Sequence, residues 1–462
     1  MKINNENPNI LFVFSDQHRW CDMGCYGNKT VKTPNFDNFS KKAIRFNNGI
    51  SNSPLCVPAR GSLLTGVLPM KHGAISNDLR IKSNVRSVAH ILNDNGYHTG
   101  YIGKWHLGGV PRDRYIPQGD ERLGFTEWKV CNCSHNYTAS YYYDEDNNKF
   151  ETDRYEPEVQ TELACDFLRR NRDKTWALYL SWGPPHDPYH KVPQKYLDMY
   201  KDTDIELRQN FADTALKKYN NRIYDKKEVV EWIKGYYAHI TALDDQFGLL
   251  VKTLEETGQM DNTIIVFTSD HGNMLGSQGY CDKQLPYEES VKVPLLVYWK
   301  GRNIVTATDE MIGLVDLPKS LIGWLGLDFP SDADGRDLSR LFYDPSAKGL
   351  QECYIFDYIP CHQAETENRT EWRGIRTTRY TFARTARDEG FCLYDNISDP
   401  FQLVNLINDE NYQDVKAELL GRLNRLIEKH DILLPWKDFI RHYDLTAQWN
   451  ESQAYFNLPT LD

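Results

Sequence analysis

Three short polar clusters hold the residue types that bind a divalent cation or attack an ester: Ser15-Asp16-Gln17-His18-Arg19, Cys56-Val57-Pro58-Ala59-Arg60 and Asp270-His271-Gly272. Asp16 and Asp270 offer hard carboxylate oxygens, Gln17 an amide oxygen and His271 an imidazole. Such a set suits calcium or magnesium, with manganese admitted by the histidine. Taken singly, each residue has a plainer role, since an Asp after a strand caps helices and a lone His can be satisfied in a core. Cys56 precedes Pro58 and Arg60 at a turn entering a helix, because proline is favoured in the first helical turn. A helix N-terminus and Arg60 together favour an anion near position 56, although a reactive or buried thiol at a helix cap fits the same residues.

The order of elements is what can bring these clusters together. Short β-branched and aromatic runs alternate with helical patterns, the signature of a mostly parallel sheet flanked by helices. Strands are expected over Ile10 to Ser15, His98 to Ile102, Trp176 to Trp182, Thr263 to Ser269 and Leu295 to Trp299. Helices are expected over Asn35 to Ala43 behind Pro34, Arg86 to Asn95, Glu228 to Thr257 and Pro318 to Leu325. Asp16, the Pro184-Pro185-His186-Asp187 turn and Asp270-His271-Gly272 each directly follow a strand. In an open α/β sheet the ligand crevice forms at the carboxyl ends of the strands, so these groups should converge. Asp120 to Tyr155, rich in Tyr, Asn and Asp, reads as an irregular insertion, and the charged stretch Lys201 to Asp225 as a surface excursion or lid. After about Pro345 the pattern shortens to strands at Tyr354 to Tyr358 and Tyr380 to Ala383 and a helix at Val415 to Lys429. The expected fold class is α/β with a mostly parallel central sheet, a catalytic domain over residues 1–345 and a smaller C-terminal α+β subdomain over 346–462 that completes the substrate cleft.

Composition narrows the function. The 462 residues can bury a full core, and no apolar run approaches the roughly 18 residues of a membrane span. With 54 basic against 65 acidic residues the net charge is −11, which argues against nucleic acid or an anionic membrane as partner. Met1 to Asn9 has no apolar signal-peptide core, so the chain as given reads as cytoplasmic, or as periplasmic or secreted if an upstream signal was removed. The ten cysteines are dispersed and read mostly as reduced and buried, and Cys131 and Cys133 are too closely spaced for a zinc site.

Cys56-Val57-Pro58-Ala59-Arg60, continued through Leu64-Thr65-Gly66, and the segment Gly96-Tyr97-His98-Thr99-Gly100-Tyr101-Ile102-Gly103-Lys104-Trp105-His106-Leu107 resemble the type I sulfatases of the alkaline phosphatase superfamily. The similarity runs from Asn9-Ile10 through Thr33-Pro34-Asn35, Lys283 and Val293-Pro294 to Leu393-Tyr394-Asp395, most of the chain. The resemblance implies an alkaline phosphatase-like fold and a sulfuric ester hydrolase acting on a small-molecule or oligosaccharide sulfate ester. It implies that a maturation enzyme converts Cys56 to Cα-formylglycine, whose hydrated aldehyde is the nucleophile. A divalent metal, calcium first with magnesium or manganese as alternatives, would be held by Asp16, Gln17, Cys56, Asp270 and His271. Arg60 would hold the diol, Lys104 and Lys283 would neutralise the sulfuryl oxygens, His106 would be the base driving sulfate elimination, and His186 the acid for the leaving group. Asp187, His190, Trp372 and Arg373 are candidate substrate contacts, with Tyr137 and Tyr141 as further aromatic candidates. Many members carry two adjacent carboxylates where this chain has Asp16-Gln17, and Asp-Asn where it has Asp270-His271. That combination resembles the phosphonate monoester hydrolase branch, so phosphonate monoester or phosphodiester hydrolysis is a second reading. A non-catalytic binder of sulfated ligands is a third, should Cys56 stay unmodified.

Overall fold

The run from Ile10 to Phe14 and that from Ile264 to Phe267 have no polar face to give to water, so each must form a central strand covered on both sides. The computed structural model describes residues 7–212, 216–217, 223–303, 305–361 and 369–462. Its strands are β1 (Asn9–Asp16), β2 (Ile44–Ile50), β3 (His98–Lys104), β4 (Glu127–Cys131), β5 (Ser140–Tyr143), β6 (Lys149–Thr152), β7 (Trp176–Pro185), a ribbon of β8 (Leu216–Lys217) and β9 (Ile223–Tyr224), β10 (Thr263–Ser269), β11 (Lys292–Val293), β12 (Leu295–Tyr298) and β13 (Ala307–Gly313). A second group follows: β14 (Glu352–Asp357), β15 (Trp372–Thr377), β16 (Tyr380–Arg384) and β17 (Cys392–Asp395).

The main sheet runs β11-β2-β12-β10-β1-β7-β3-β4-β5-β6, with β13 beside β2. β10, β1, β7, β3 and β4 are mutually parallel, so their carboxyl ends share one edge. Apolar side chains of β1 divide by the period of two: Ile10, Phe12 and Phe14 enter one core, Leu11 and Val13 the other. The helix Lys226–Glu256 covers the second face and starts at a capping box in which Asp225 and Glu228 satisfy each other's backbone N–H. Among the described residues no helix is long and apolar enough to cross a membrane.

The segment 120–155 departs from expectation. It carries β4, β5 and β6 and widens the main sheet, because Trp128 and Val130 alternate with Glu127 and Lys129, and only the turn at 144–148 is polar throughout. The first helix is Pro34–Ser40, shorter than expected, because Ile44 opens β2. β2 itself was hidden by Arg45, Asn47 and Asn48, and the helix Glu156–Arg170 was not expected at all. Of the excursion at 201–225, residues 213–215 and 218–222 lie outside the described residues; the part before them is fastened to the domain by Arg208 to Glu289 and by Asn210 to Glu289.

The C-terminal strands form an antiparallel sheet, β14-β15-β16-β17, against which the helix Gln413–His430 packs through Leu419, Leu423 and Ile427. One buried ion pair ties this sheet to the main body: Arg376 Nε and Nη2 donate to Glu288 Oε1 and Oε2 at 2.8 and 3.0 Å. Burial raises the Glu288 carboxyl, but Arg376 and Lys292 outweigh it and bring it down to about 2. A carboxyl depressed in the folded state contributes stability that is full above its unfolded pKa and lost as pH falls through the folded one. Between pH 4.5 and about 2 the wild type should therefore lose about 3 kcal/mol through this group. Urea titration across that range should show Glu288→Gln less stable at neutral pH and lacking that part of the acid loss; superimposable pH profiles would contradict the clamp.

Candidate active site

Asp16 ends β1 and Asp270 follows β10, its neighbour in the sheet, so the parallel register sets two buried carboxylates side by side. Arg60 lies between them, its Nη2 3.0 Å from Asp16 Oδ2 and its Nε 3.1 Å from Asp270 Oδ2. The guanidinium is fixed on its remaining side by Lys104 O at 3.0 Å and Ser181 Oγ at 2.6 Å, and its flat face rests over Phe14. Lys104 Nζ donates to Asp16 Oδ2 at 2.7 Å. Burial raises Asp16, yet Lys104, His186 and Arg60 hold it well below the ordinary carboxylate range, whereas burial and the charge of Asp16 push Asp270 up. Close approach builds this edge: Gly103 sits at φ +104, and a Cβ there would lie 2.0 Å from Ser181 O.

Cys56 opens the helix Cys56–Thr65 directly after the segment leaving β2, and Asn77 Oδ1 accepts from Val57 N to cap it. Its Sγ is 3.2 Å from His271 Nε2 and 3.6 Å from Asp16 Oδ1. Burial raises the thiol, but Lys283, His271 and Lys104 overcome it, so the site favours an anion at position 56. His271 Nδ1 lies 2.9 Å from Gly272 O, which can only accept, so Nδ1 carries a proton and Nε2 is the nitrogen that faces the cluster, where its lone pair would be given to a bound cation. Ligand atoms of Asp16, Cys56, Asp270 and His271 all lie within 4.8 Å of one another. Two carboxylates, a correctly oriented imidazole and a residue that favours the anion fit a divalent cation. Gln17 belongs to the same loop at φ +66, its backbone held by Asp270 Oδ1 and Tyr236; its Oε1 accepts from Lys283 Nζ at 2.6 Å, and its buried Nε2 meets no partner among the described residues.

Two histidines flank the cluster. His186 follows β7, with Nδ1 near Asp187 O and Oδ1 at 2.9 and 3.0 Å and Nε2 2.7 Å from Lys283 Nζ. Burial and Lys283 lower its pKa, but Asp187 and Asp16 raise it to about 9. His106, at φ +59 after β3, has Nε2 3.6 Å from Asp78 Oδ1, and neither buried ring nitrogen meets a hydrogen-bond partner among the described residues. Burial lowers it, while Cys133 and Asp78 beside it raise it, favouring proton uptake.

The expected cluster of Asp16, Gln17, Cys56, Arg60, Lys104, His106, His186, Asp270, His271 and Lys283 is thus brought together, with Asp187 at its edge. The other substrate candidates take different places. His190 is exposed beyond the turn. Arg373 is buried inside the C-terminal subdomain, paired to Asp431 and stacked on Tyr358. Trp372 is buried too, its Nε1 donating to Gln284 O at 2.9 Å, so it braces the neighbour of Lys283. Tyr137 is fully buried, its hydroxyl on the carbonyls of Gly183 and Asp187, and Tyr141 donates to Arg112 O. Sequence reading missed Asp78, Arg112, Cys133, His135 and Tyr236, none of which stands in a motif. Arg112 clasps Asp78 at 2.8 Å through both Nε and Nη2, and Phe456 lies over its guanidinium.

The chain matches the sulfatase family model over residues 8–327 and the model of the C-terminal region of N-sulphoglucosamine sulphohydrolase over 276–429. It is 35% identical to the ulvan-active sulfatase of Formosa agariphila over 425 residues, covering 90% of this chain and 80% of that one. It is 26% identical to an N-acetylglucosamine-6-O-sulfatase of Bacteroides thetaiotaomicron over 499 residues, 91% of this chain and 86% of the relative. A solved structure from Bacteroides fragilis superposes with a TM-score of 0.83 at 27% identity, over 94% of this chain and 98% of that one.

Removing the shared cation tests the arrangement. Arg60→Ala leaves two buried carboxylates facing each other, which should cost about 3–5 kcal/mol in urea unfolding, and adding Asp16→Asn should recover part of that loss. An unchanged midpoint, or a further loss in the double variant, would contradict the electrostatic account.

Proposed function

Since this chain belongs to the sulfatase family and is a sulfuric ester hydrolase, we propose that it releases inorganic sulfate from a sulfated carbohydrate, with the residue at position 56 as nucleophile. The observation that carries the reading is the convergence of Cys56 with Asp16, Asp270 and His271, together with the cations Arg60, Lys104 and Lys283. The names of the two sulfatase relatives, one ulvan-active and one acting at N-acetylglucosamine, support a sugar substrate.

In the proposed mechanism Cys56 is matured to Cα-formylglycine, whose hydrated aldehyde supplies the attacking oxygen and whose return to aldehyde frees sulfate. A divalent cation held by Asp16, Gln17, Asp270, His271 and the oxygen at residue 56 would lower the pKa of that hydroxyl and polarise a sulfuryl oxygen. Calcium suits the oxygen-rich set, with magnesium or manganese as alternatives. Arg60 orients the attacking group, and the Lys104 and Lys283 ammonium groups offset charge on the sulfuryl oxygens in the transition state. His186, whose pKa is raised to about 9, hands a proton from Nε2 to the leaving oxygen. His106 takes the proton from the hydroxyl at residue 56 that drives sulfate release, and Asp78 stabilises the imidazolium that results. The C-terminal subdomain, from about residue 346, completes the cleft: Arg369 Nη1 donates to Lys283 O at 2.7 Å, and Trp372 holds Gln284.

Mass spectrometry of the peptide containing residue 56 from active enzyme should give an aldehyde, and Cys56→Ala should abolish turnover with folding intact. Active enzyme carrying only cysteine there would end the formylglycine assignment. Chelation should remove activity and readdition of calcium, magnesium or manganese restore it, whereas an undiminished rate after verified metal removal would contradict the cation site. An aryl sulfate should be turned over faster than the matching aryl phosphodiester; the reverse order would favour the phosphodiester reading.

The histidine roles separate by leaving group. His186→Ala should slow sugar sulfates by roughly 100-fold or more and para-nitrophenyl sulfate far less, because a good leaving group needs little protonation. His106→Ala should slow both esters alike, since its step follows loss of the leaving group. Equal losses for His186→Ala on both substrates would show that the acid is misassigned.

A further inference from the structure

The turn between β4 and β5 belongs to no motif, yet it carries Cys133 and His135 into the site. The His135 ring lies flat on that of His186, centroids 4.4 Å apart and planes 13° from parallel. The edge of the His186 ring is already tied by Asp187 at Nδ1 and Lys283 at Nε2. Edge hydrogen bonds set the rotation of a ring within its plane but leave the plane free to tilt, and a group on its face resists tilting. His135 is such a group, and its own support is rigid. Asn132 Nδ2 donates to Gly109 O at 2.9 Å and its Oδ1 accepts from Gly108 N at 3.1 Å. Cys133 N donates to Arg112 O, and Tyr137, two residues past His135, is bolted by its hydroxyl to the carbonyls of Gly183 and Asp187, on either side of His186. The turn and the strand end that carries His186 therefore move as one body. Burial and the neighbouring His186 bring His135 down to about 4, so at neutral pH an uncharged ring lies against its partner and the pair can persist when His186 is protonated.

We propose that His135 is a positioning residue for His186: stacked on its face, it fixes the plane of that imidazole so that Nε2 stays aimed at the leaving oxygen. The proposal rests on the reading that His186 protonates the leaving group. It assigns a part in the reaction to the β4–β5 turn, whose sequence showed only a polar insertion.

The test compares His135→Ala, His135→Phe and His186→Ala, alone and combined, on para-nitrophenyl sulfate and on whichever sulfated monosaccharide the wild type hydrolyses fastest. His135→Ala should lower kcat on the sugar about 10- to 100-fold with KM little changed, and lower it much less on the aryl ester. His135→Phe, which keeps a flat ring, should restore most of the loss. In the His186→Ala background, His135→Ala should cost less than about twofold more, because the two residues act as one unit. A raised KM with kcat kept would make His135 a substrate contact, and equal losses on both esters with a lowered Tm would make it packing; either overturns the proposal, as does full additivity in the double variant. A His186→Ala loss equal on both esters overturns the acid assignment and this proposal with it, whereas a leaving-group-dependent His186→Ala with a silent His135→Ala overturns the positioning alone.

Discussion

Two buried carboxylates at adjoining strand ends are the constraint on which the rest of this site depends. Asp16 and Asp270 are neighbours because β1 and β10 are parallel and in register, and each would be costly to bury without compensation. Arg60 reaches both, and Lys104 adds a second cation to Asp16, so the pair is held together and partly neutralised. The opposite directions of their pKa shifts follow from that uneven compensation: Lys104, His186 and Arg60 hold Asp16 down against its burial, whereas at Asp270 burial and the charge of Asp16 outweigh His271 and Arg60. A pair so arranged has remaining oxygens on one side only, the side where Cys56 and His271 stand.

Over this floor the cations change the chemistry of position 56. Lys283, His271 and Lys104 together outweigh the burial of Cys56, and the same charges that favour an anionic thiol would favour the oxygens of a bound sulfate. Lys283 links the halves of the site by touching Gln17 on one side and His186 on the other. Arg369 and Trp372 donate to the backbone carbonyls of Lys283 and Gln284, so the C-terminal subdomain supports the site by bracing that segment. The buried Glu288–Arg376 pair keeps that support in register with the main sheet.

Much of the candidate site was legible in the sequence because strand-end residues in a parallel sheet share one edge whatever the loops do. Asp16, His186 and Asp270 could be placed there from strand pattern alone, and the long motifs around Cys56 and Lys104 supplied the resemblance that assigned their roles. Less local features were not legible. Arg373 looked like a substrate cation but spends its charge on Asp431, a partner 58 residues away that no spacing rule indicates. The turn at Cys133 and His135 looked polar and irregular, because the alternation in β4 and β5 is short and the Tyr and Asn residues around it have no period.

The sequence by itself determined the alternation of strands and helices, the central strands that must be buried on both faces, and the chemistry available at their ends. It did so because hydrophobic periodicity and motif residues are local properties of the chain. Only the tertiary structure decided which charges meet, that His106 faces Asp78, that His135 covers His186, and that Trp372 braces the Lys283 segment while Arg373 turns inward. Those pairings depend on side chains from sequence-distant elements arriving within a few ångströms of one another, and their number and direction are set by packing, which no single segment encodes.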